Sequence, residues 1–192
     1  MAIEYVNRKG KTYYLHEGKT KAGKPKYFFS LKSEGSLVNE IPAGYEIYEN
    51  PNSQVFLRKI PAQVILPEEV EVVENGIKRY AEVKYFILDV KGKNILVYLC
   101  DQNVDELVDL AYTGLGRSPE QAKKSLMRSV HYSPVMQFVL QDKKARKFGV
   151  ERWCFLGSID DWILLDSDGD LEVLVKEYTP HLGQESFYDL KL

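Results

Sequence analysis

Three stretches of this 192-residue chain carry side chains suited to chemistry. WILLDSDGDLEVLVKE, residues 162–177, sets Asp166, Asp168 and Asp170 at alternate positions around Gly169, with Glu177 further on. Carboxylates so spaced can hold a hard cation or attack a phosphorus. In YAEVKYFIL, Glu82 and Lys84 stand two apart, so on a strand both would leave one face, with Glu71 or Glu74 as an earlier acid. Metal-assisted phosphodiester hydrolysis uses such groups. Near the amino terminus Lys19, Lys21, Lys24 and Lys26 surround Ala22-Gly23, backed by Tyr13, Tyr14, Tyr27, Phe28 and Phe29. Ammonium groups beside flat rings suit a nucleic-acid backbone and its bases.

WILLDSDGDL resembles the haloacid-dehalogenase motif, four hydrophobic residues followed by D-x-D-G-T. The resemblance implies Asp166 as a phosphoryl-accepting nucleophile and Asp168 as an acid/base. The chain departs from the motif at Asp170, where the family has threonine and an added carboxylate would repel phosphate. Only 26 residues follow Asp166, too few for the parallel sheet that carries the family's other groups. The same residues resemble an EF-hand calcium loop, with Asp166, Asp168 and Asp170 at its first, third and fifth positions and Glu177 at its last. Leu171 then occupies the position of the turning glycine, where a left-handed backbone costs roughly 1–2 kcal/mol. Asp161 and Ser158 stand where an incoming helix would be apolar.

A simpler reading makes the stretch a helix start. Asp170 is the cap, Glu172 lies in the first turn where the helix dipole favours negative charge, and Leu171, Leu174, Val175 and Tyr178 form one apolar side. No cofactor, metal or catalytic residue is assigned; Asp166, Asp168, Asp170 and Glu177 are the set a metal would use. His16, His131, His181, Cys100 and Cys154 lack ligand spacing, so a zinc site would have to be assembled by the fold. Cys154, in RWCFLG, reads as a structural thiol.

The basic hairpin turns on register. A two-residue loop at Ala22-Gly23 would face Lys21 with Lys24 and Lys19 with Lys26 on one sheet face, an arrangement that only an anionic partner would relieve. A three-residue loop Lys21-Ala22-Gly23 with a left-handed glycine suits these residues better, and it divides the lysines between faces. A second basic cluster, Lys143, Lys144, Arg146 and Lys147, falls in the turn KKARKFG.

Composition narrows the function classes. Hydrophobic residues make up 44% and charged residues 28% of the chain, which excludes global disorder. No apolar run approaches the roughly 20 residues of a membrane span. The charged beginning MAIEYVNRKGK lacks the apolar core of a secretion signal, so the expected location is cytoplasmic. Net charge is −2, but the ends oppose one another: residues 1–32 carry eight Lys or Arg against two acids, whereas residues 160–192 carry nine acids against two Lys. The basic end suits an anionic partner, or the two ends dock together.

These groups need elements to hold them. TYYLHEG and KYFFSLK, then GYEIYE and SQVFLRK, read as two successive hairpins. IPAQVILPEE, with prolines 61 and 67, is the expected seam. Beyond it EVEVVENGIKRYAEVKYFILDVKGKNILVYLCD reads as three strands, parted at Asn75-Gly76 and at KGKN. VDELVDLAYTGLG has helical spacing with a stop at Gly114 or Gly116, and a second helix starts at Ser118 with Pro119 and a box-completing Gln121. VMQFVLQD and VERWCFLG form a further hairpin, and LEVLVKEY a helix ending near Pro180. The expected fold is α+β: a small N-terminal antiparallel β-meander domain, residues 1–62, followed by an α+β domain, residues 63–192, with an antiparallel sheet and two or three helices. The expected function is a soluble, non-enzymatic binding or interaction protein that meets nucleic acid through Lys19, Lys21, Lys24, Lys26 and Tyr27, with Lys143, Lys144, Arg146 and Lys147, or meets a protein partner. The enzyme alternative is metal-dependent phosphate processing, nuclease- or phosphatase-like.

Overall fold

Aromatic and β-branched runs separated by glycine turns build the first strands. The computed structural model describes residues 1–115, 118–156 and 159–190, so the stop expected at Gly116 and the comment on Ser158 lie outside the described residues. The fold is α+β, with ten strands and five helices among the described residues. The chain divides into two compact units, Met1–Pro61 with Gln102–His131, and Ala62–Asp101 with Tyr132–Leu192. The first boundary falls within IPAQVILPEE. Residues 102–131, assigned from sequence to the second domain, group with the first unit.

In the first unit β1 (Glu4–Val6), β2 (Thr12–Lys19) and β3 (Pro25–Ser30) form an antiparallel meander, and β4 (Tyr45–Glu49) pairs with β5 (Val55–Lys59). The β1–β2 turn is fastened to the β4–β5 turn by polar groups. The Asn7 side chain donates to Ser53 O at 2.7 Å, and Glu49 accepts from Arg8 Nε at 2.8 Å, Arg8 N at 3.0 Å and the Tyr5 hydroxyl at 3.0 Å. The unit also holds α2 (Val104–Leu115), which runs through Gly114, and α3 (Pro119–Leu126). Ser118 caps α3 by accepting the Gln121 N–H at 3.3 Å, and Pro119 takes the first helical position, where no N–H is needed.

The second unit begins with α1 (Pro67–Tyr80), which corrects the strand expected from EVEVVENG. Glu69, Val73, Gly76 and Ile77 recur at helical spacing and are buried. Glu68 and Glu69 in the first turn and Lys78 and Arg79 in the last complement the dipole. Asn75-Gly76 is therefore not a hairpin turn. Gly76 is where α4 (Leu171–Tyr178) approaches: a β-carbon there would lie 2.0 Å from Val175 Cγ1.

Five antiparallel strands follow in the spatial order β10, β9, β8, β7, β6, comprising β6 (Phe86–Lys91), β7 (Asn94–Cys100), β8 (Tyr132–Asp142), β9 (Lys147–Leu156) and β10 (Ile159–Gly169). Gly92, at φ +60°, opens the two-residue β6–β7 turn, as a type II′ turn requires. Because β7 and β8 pair directly, the sheet is complete without the residues between them. Alternation sends Ile95, Val97, Met136, Phe138, Phe148 and Val150 into a core shared with Val73 and Ile77 of α1 and with Leu171, Leu174 and Val175 of α4. Arg152, 1% exposed, ties down residues 188–190 by donating to Leu190 O at 2.9 Å and Tyr188 O at 3.3 Å. A short α5 (Ser186–Asp189) lies there. Among the described residues no helix is long and apolar enough to cross a membrane.

Candidate functional site

The lysine hairpin adopts the three-residue loop that its residue types favour. Thr20 N donates to Lys24 O at 2.8 Å and Gly23 N to Thr20 O at 2.9 Å, closing Lys21-Ala22-Gly23 with Gly23 at φ +76°. The Lys24 N–H also donates to Thr20 Oγ1 at 3.1 Å. Pairing runs Lys19 with Pro25, Gly18 with Lys26 and Glu17 with Tyr27. Lys19 and Tyr27 thus belong to the face of buried Leu15, with exposed Glu17, whereas Lys26 belongs to the face of His16 and Phe28. Lys21 and Lys24 stand at the tip. All four lysines are exposed, and none has an ion-pair partner among the described residues.

Rings stand behind this charge. Phe28, 42% exposed, stacks on His16 with centroids 5.4 Å apart and planes 13° apart. His16 is buried, and its Nε2–H donates to Lys32 O at 2.9 Å. Tyr27 is half-buried.

The second basic cluster belongs to the other unit and is largely committed to its structure. At the β8–β9 turn the Asp142 carboxylate accepts the Lys144 and Ala145 N–H groups at 2.7 and 2.9 Å, bonds that hold its pKa below the ordinary carboxylate value. Arg146, in a left-handed conformation at φ +52°, donates from Nε to Glu69 Oε1 at 2.7 Å and from Nη2 to Glu69 Oε2. It reaches Val64 O at 3.3 Å as well, and so staples the turn to the start of α1. Lys147 pairs with Asp170 at 3.4 Å. Lys143 and Lys144 are left exposed.

The acidic stretch ends a strand before it starts a helix. Asp166 lies between two register shifts of β10 against β9. Its carboxylate accepts the Ser167 N–H at 2.7 Å and the Tyr178 hydroxyl at 3.3 Å. Burial first, and then the Asp166 charge, push the Tyr178 phenol up to about 12. Asp168 is left-handed at φ +57° and donates its N–H to Gln141 Oε1 at 2.8 Å. Asp170 precedes α4 as expected, but its side chain makes no capping hydrogen bond. Pairing with Lys147 turns the carboxylate elsewhere, which corrects the capping role. Residues 171–177 are helical, so the twelve-residue calcium loop ending at Glu177 is not formed. Among the described residues no group of three or more His, Cys, Asp or Glu side chains is placed to hold a metal ion.

Glu82 and Lys84 lie between α1 and β6 rather than on a strand, so the shared strand face on which their joint chemistry depended does not exist. Glu71 and Glu74 are helical, and Glu82 accepts a hydrogen bond from Gln184 Nε2 at 3.0 Å. The alternation of this stretch does not make a strand because residues 67–80 are helical and β6 begins only at Phe86.

One cluster went unread in the sequence. Pairing of Tyr48 with Phe56 and of Glu46 with Arg58 puts these four on one face of the β4–β5 hairpin. Tyr48 and Phe56 stack at 6.4 Å, and the Arg58 guanidinium lies 3.9 Å from the Tyr48 ring centre. The signal was the alternation of YEIYE against VFLRK, legible only once register was known.

Comparison with protein-family models, curated proteins and solved structures finds no match.

Proposed function

We propose that this is a non-enzymatic binding protein whose first unit contacts nucleic acid through the β2–β3 hairpin. The observation that carries the reading is the set of four exposed lysines, Lys19, Lys21, Lys24 and Lys26, with no carboxylate partner among the described residues. Ammonium groups left unpaired by their own fold repel one another, and condensed phosphates relieve that repulsion while releasing counterions. The register makes the hairpin a charged tip rather than a charged sheet face, which fits sequence-independent backbone contact better than readout of base edges. Lys143 and Lys144 are candidate additional contacts; Arg146 and Lys147 serve the second unit's own structure.

A mobility-shift titration against salt tests the proposal. Two to four phosphate contacts give a log–log slope of about −1.4 to −3.6, depending on strandedness. Replacing the four hairpin lysines by Glu should flatten that slope and abolish the shift. Binding indifferent to both salt and charge reversal would refute the proposal. Calorimetric heat from Mg²⁺, Mn²⁺ or Ca²⁺, lost on Asp166→Asn or Glu82→Gln, would instead favour a metal-dependent phosphate-processing enzyme.

A further inference from the structure

The β4–β5 hairpin leaves a ring in solvent that folding does not account for. Its inner face carries Val55, 6% exposed, and Glu49, whose side chain is 7% exposed. Its other face carries Glu46, Tyr48, Phe56 and Arg58, and Phe56 is 46% exposed. Three flat groups are layered there. Arg58 covers the Tyr48 ring at 3.9 Å, held by Glu46 Oε1 at 2.8 Å, and Phe56 stacks beside Tyr48 with planes 28° apart. The hairpin is also braced from behind, because the Arg8, Tyr5 and Asn7 hydrogen bonds fix the turn that joins its strands. A braced ladder loses little conformational freedom when something flat lands on it.

We infer that Phe56, supported by Tyr48 and Arg58, is a stacking platform for an unpaired base, so that the ligand is single-stranded nucleic acid. This rests on the reading of the lysine hairpin given above. Two observations favour that occupant over an apolar protein surface. The ladder sets charged Glu46 and Arg58 beside its rings, which suits a polar ligand with a flat face. Strand β5 also lies against β3, the strand that carries Lys26 and a further exposed ring, Phe28. Rings beside unpaired ammonium groups match the two features of a single strand, its open base faces and its phosphates. A duplex offers the phosphates but keeps its base faces stacked inside.

Fluorescence anisotropy of the full chain with a 12-nucleotide oligo(dT) and with a 12-base-pair duplex tests this. We expect preference for the single strand. Phe56→Ala should weaken it roughly 5- to 150-fold without altering the salt slope, and Phe56→Tyr should restore it. Phe56→Leu keeps apolar bulk without the ring, and should fail as Phe56→Ala does even if the latter perturbs folding. Equal affinity for duplex and single strand, or single-strand binding unmoved by Phe56→Leu, overturns the platform and leaves the lysine hairpin standing. Failure of the wild type to bind either oligonucleotide at low salt overturns both.

Discussion

Gly76 and Val175 meet where helix α1 crosses α4, so closely that a β-carbon on residue 76 would come within 2.0 Å of Val175 Cγ1. Glycine inside a helix costs roughly 1 kcal/mol relative to alanine, so an exposed site would gain from Gly76→Ala. Here overpacking of about 1–3 kcal/mol opposes that gain, and so short an approach puts it at the upper end. We expect a net loss of about 1–2 kcal/mol in urea unfolding. Val175→Ala in the same background should cost less than it does alone. A Gly76→Ala protein as stable as the wild type would mean that the helices are not held this close.

The Arg8–Glu49 pair should make the first unit acid-sensitive. Burial alone would raise the Glu49 pKa, but hydrogen bonds from the Arg8 side chain and backbone, and from Tyr5, outweigh it and hold the carboxyl below its ordinary 4.5. A lowered folded-state pKa means that the contribution is full above pH 4.5 and fades as pH falls through the folded value. Glu49→Gln is expected to cost about 1–3 kcal/mol at pH 7. Thermal melts of both proteins at pH 7 and pH 3 check this: the gap should narrow in acid, and a constant gap would count against the pairing.

Tyr178 bears on the alkaline side. Its folded pKa, about 12, stands above the ordinary 10.0, so its contribution is complete below pH 10 and is lost as pH rises towards 12. Ultraviolet titration of the 13 tyrosines should include a late component near 12 from Tyr178, beside a Tyr5 phenol that burial and the Glu49 hydrogen bond also raise. Tyr178→Phe should remove that late component, and Asp166→Asn should move it earlier by deleting the neighbouring charge. A late component unchanged in both variants would belong to another tyrosine.

Around the start of α4, apolar burial outweighs the acid. The Asp170–Lys147 pair is exposed, 72% at the aspartate, and such pairs contribute about 0–1 kcal/mol. Asp170→Ala should therefore shift denaturant unfolding by less than about 0.5 kcal/mol, whereas Leu174→Ala, at a 2% exposed position, should cost about 2–5 kcal/mol. A large effect at Asp170 would restore the capping role that the side chain's direction denies it.

Where local rules act alone, the sequence was sufficient. Alternation with turn residues defines β2–β5 and the β8–β9 hairpin, the Ser118-Pro119 signal defines α3, and Leu171, Leu174 and Val175 define the buried side of α4. The KTKAGKP loop closed as its left-handed glycine requires. Those features depend on residues a few positions apart, whose preferences for turn, strand or helix need no distant partner. The α+β class follows from their order.

Tertiary structure decided what distant segments share. Asn75-Gly76 carries a strong hairpin signal, yet it lies inside α1, where Glu69, Val73, Gly76 and Ile77 are buried at helical spacing and Val175 fills the space that a side chain at residue 76 would take. With α1 in place Glu82 and Lys84 left any common strand, and Glu69 became the partner of Arg146. Asp170 turned to Lys147 at the start of the neighbouring strand β9 rather than to its own helix. The Tyr48–Phe56–Arg58 ladder likewise exists only through cross-strand register. Periodicity tells a residue which face it prefers, but burial, close approach and pairing depend on which other segment arrives there, and one chain's local pattern does not contain that information.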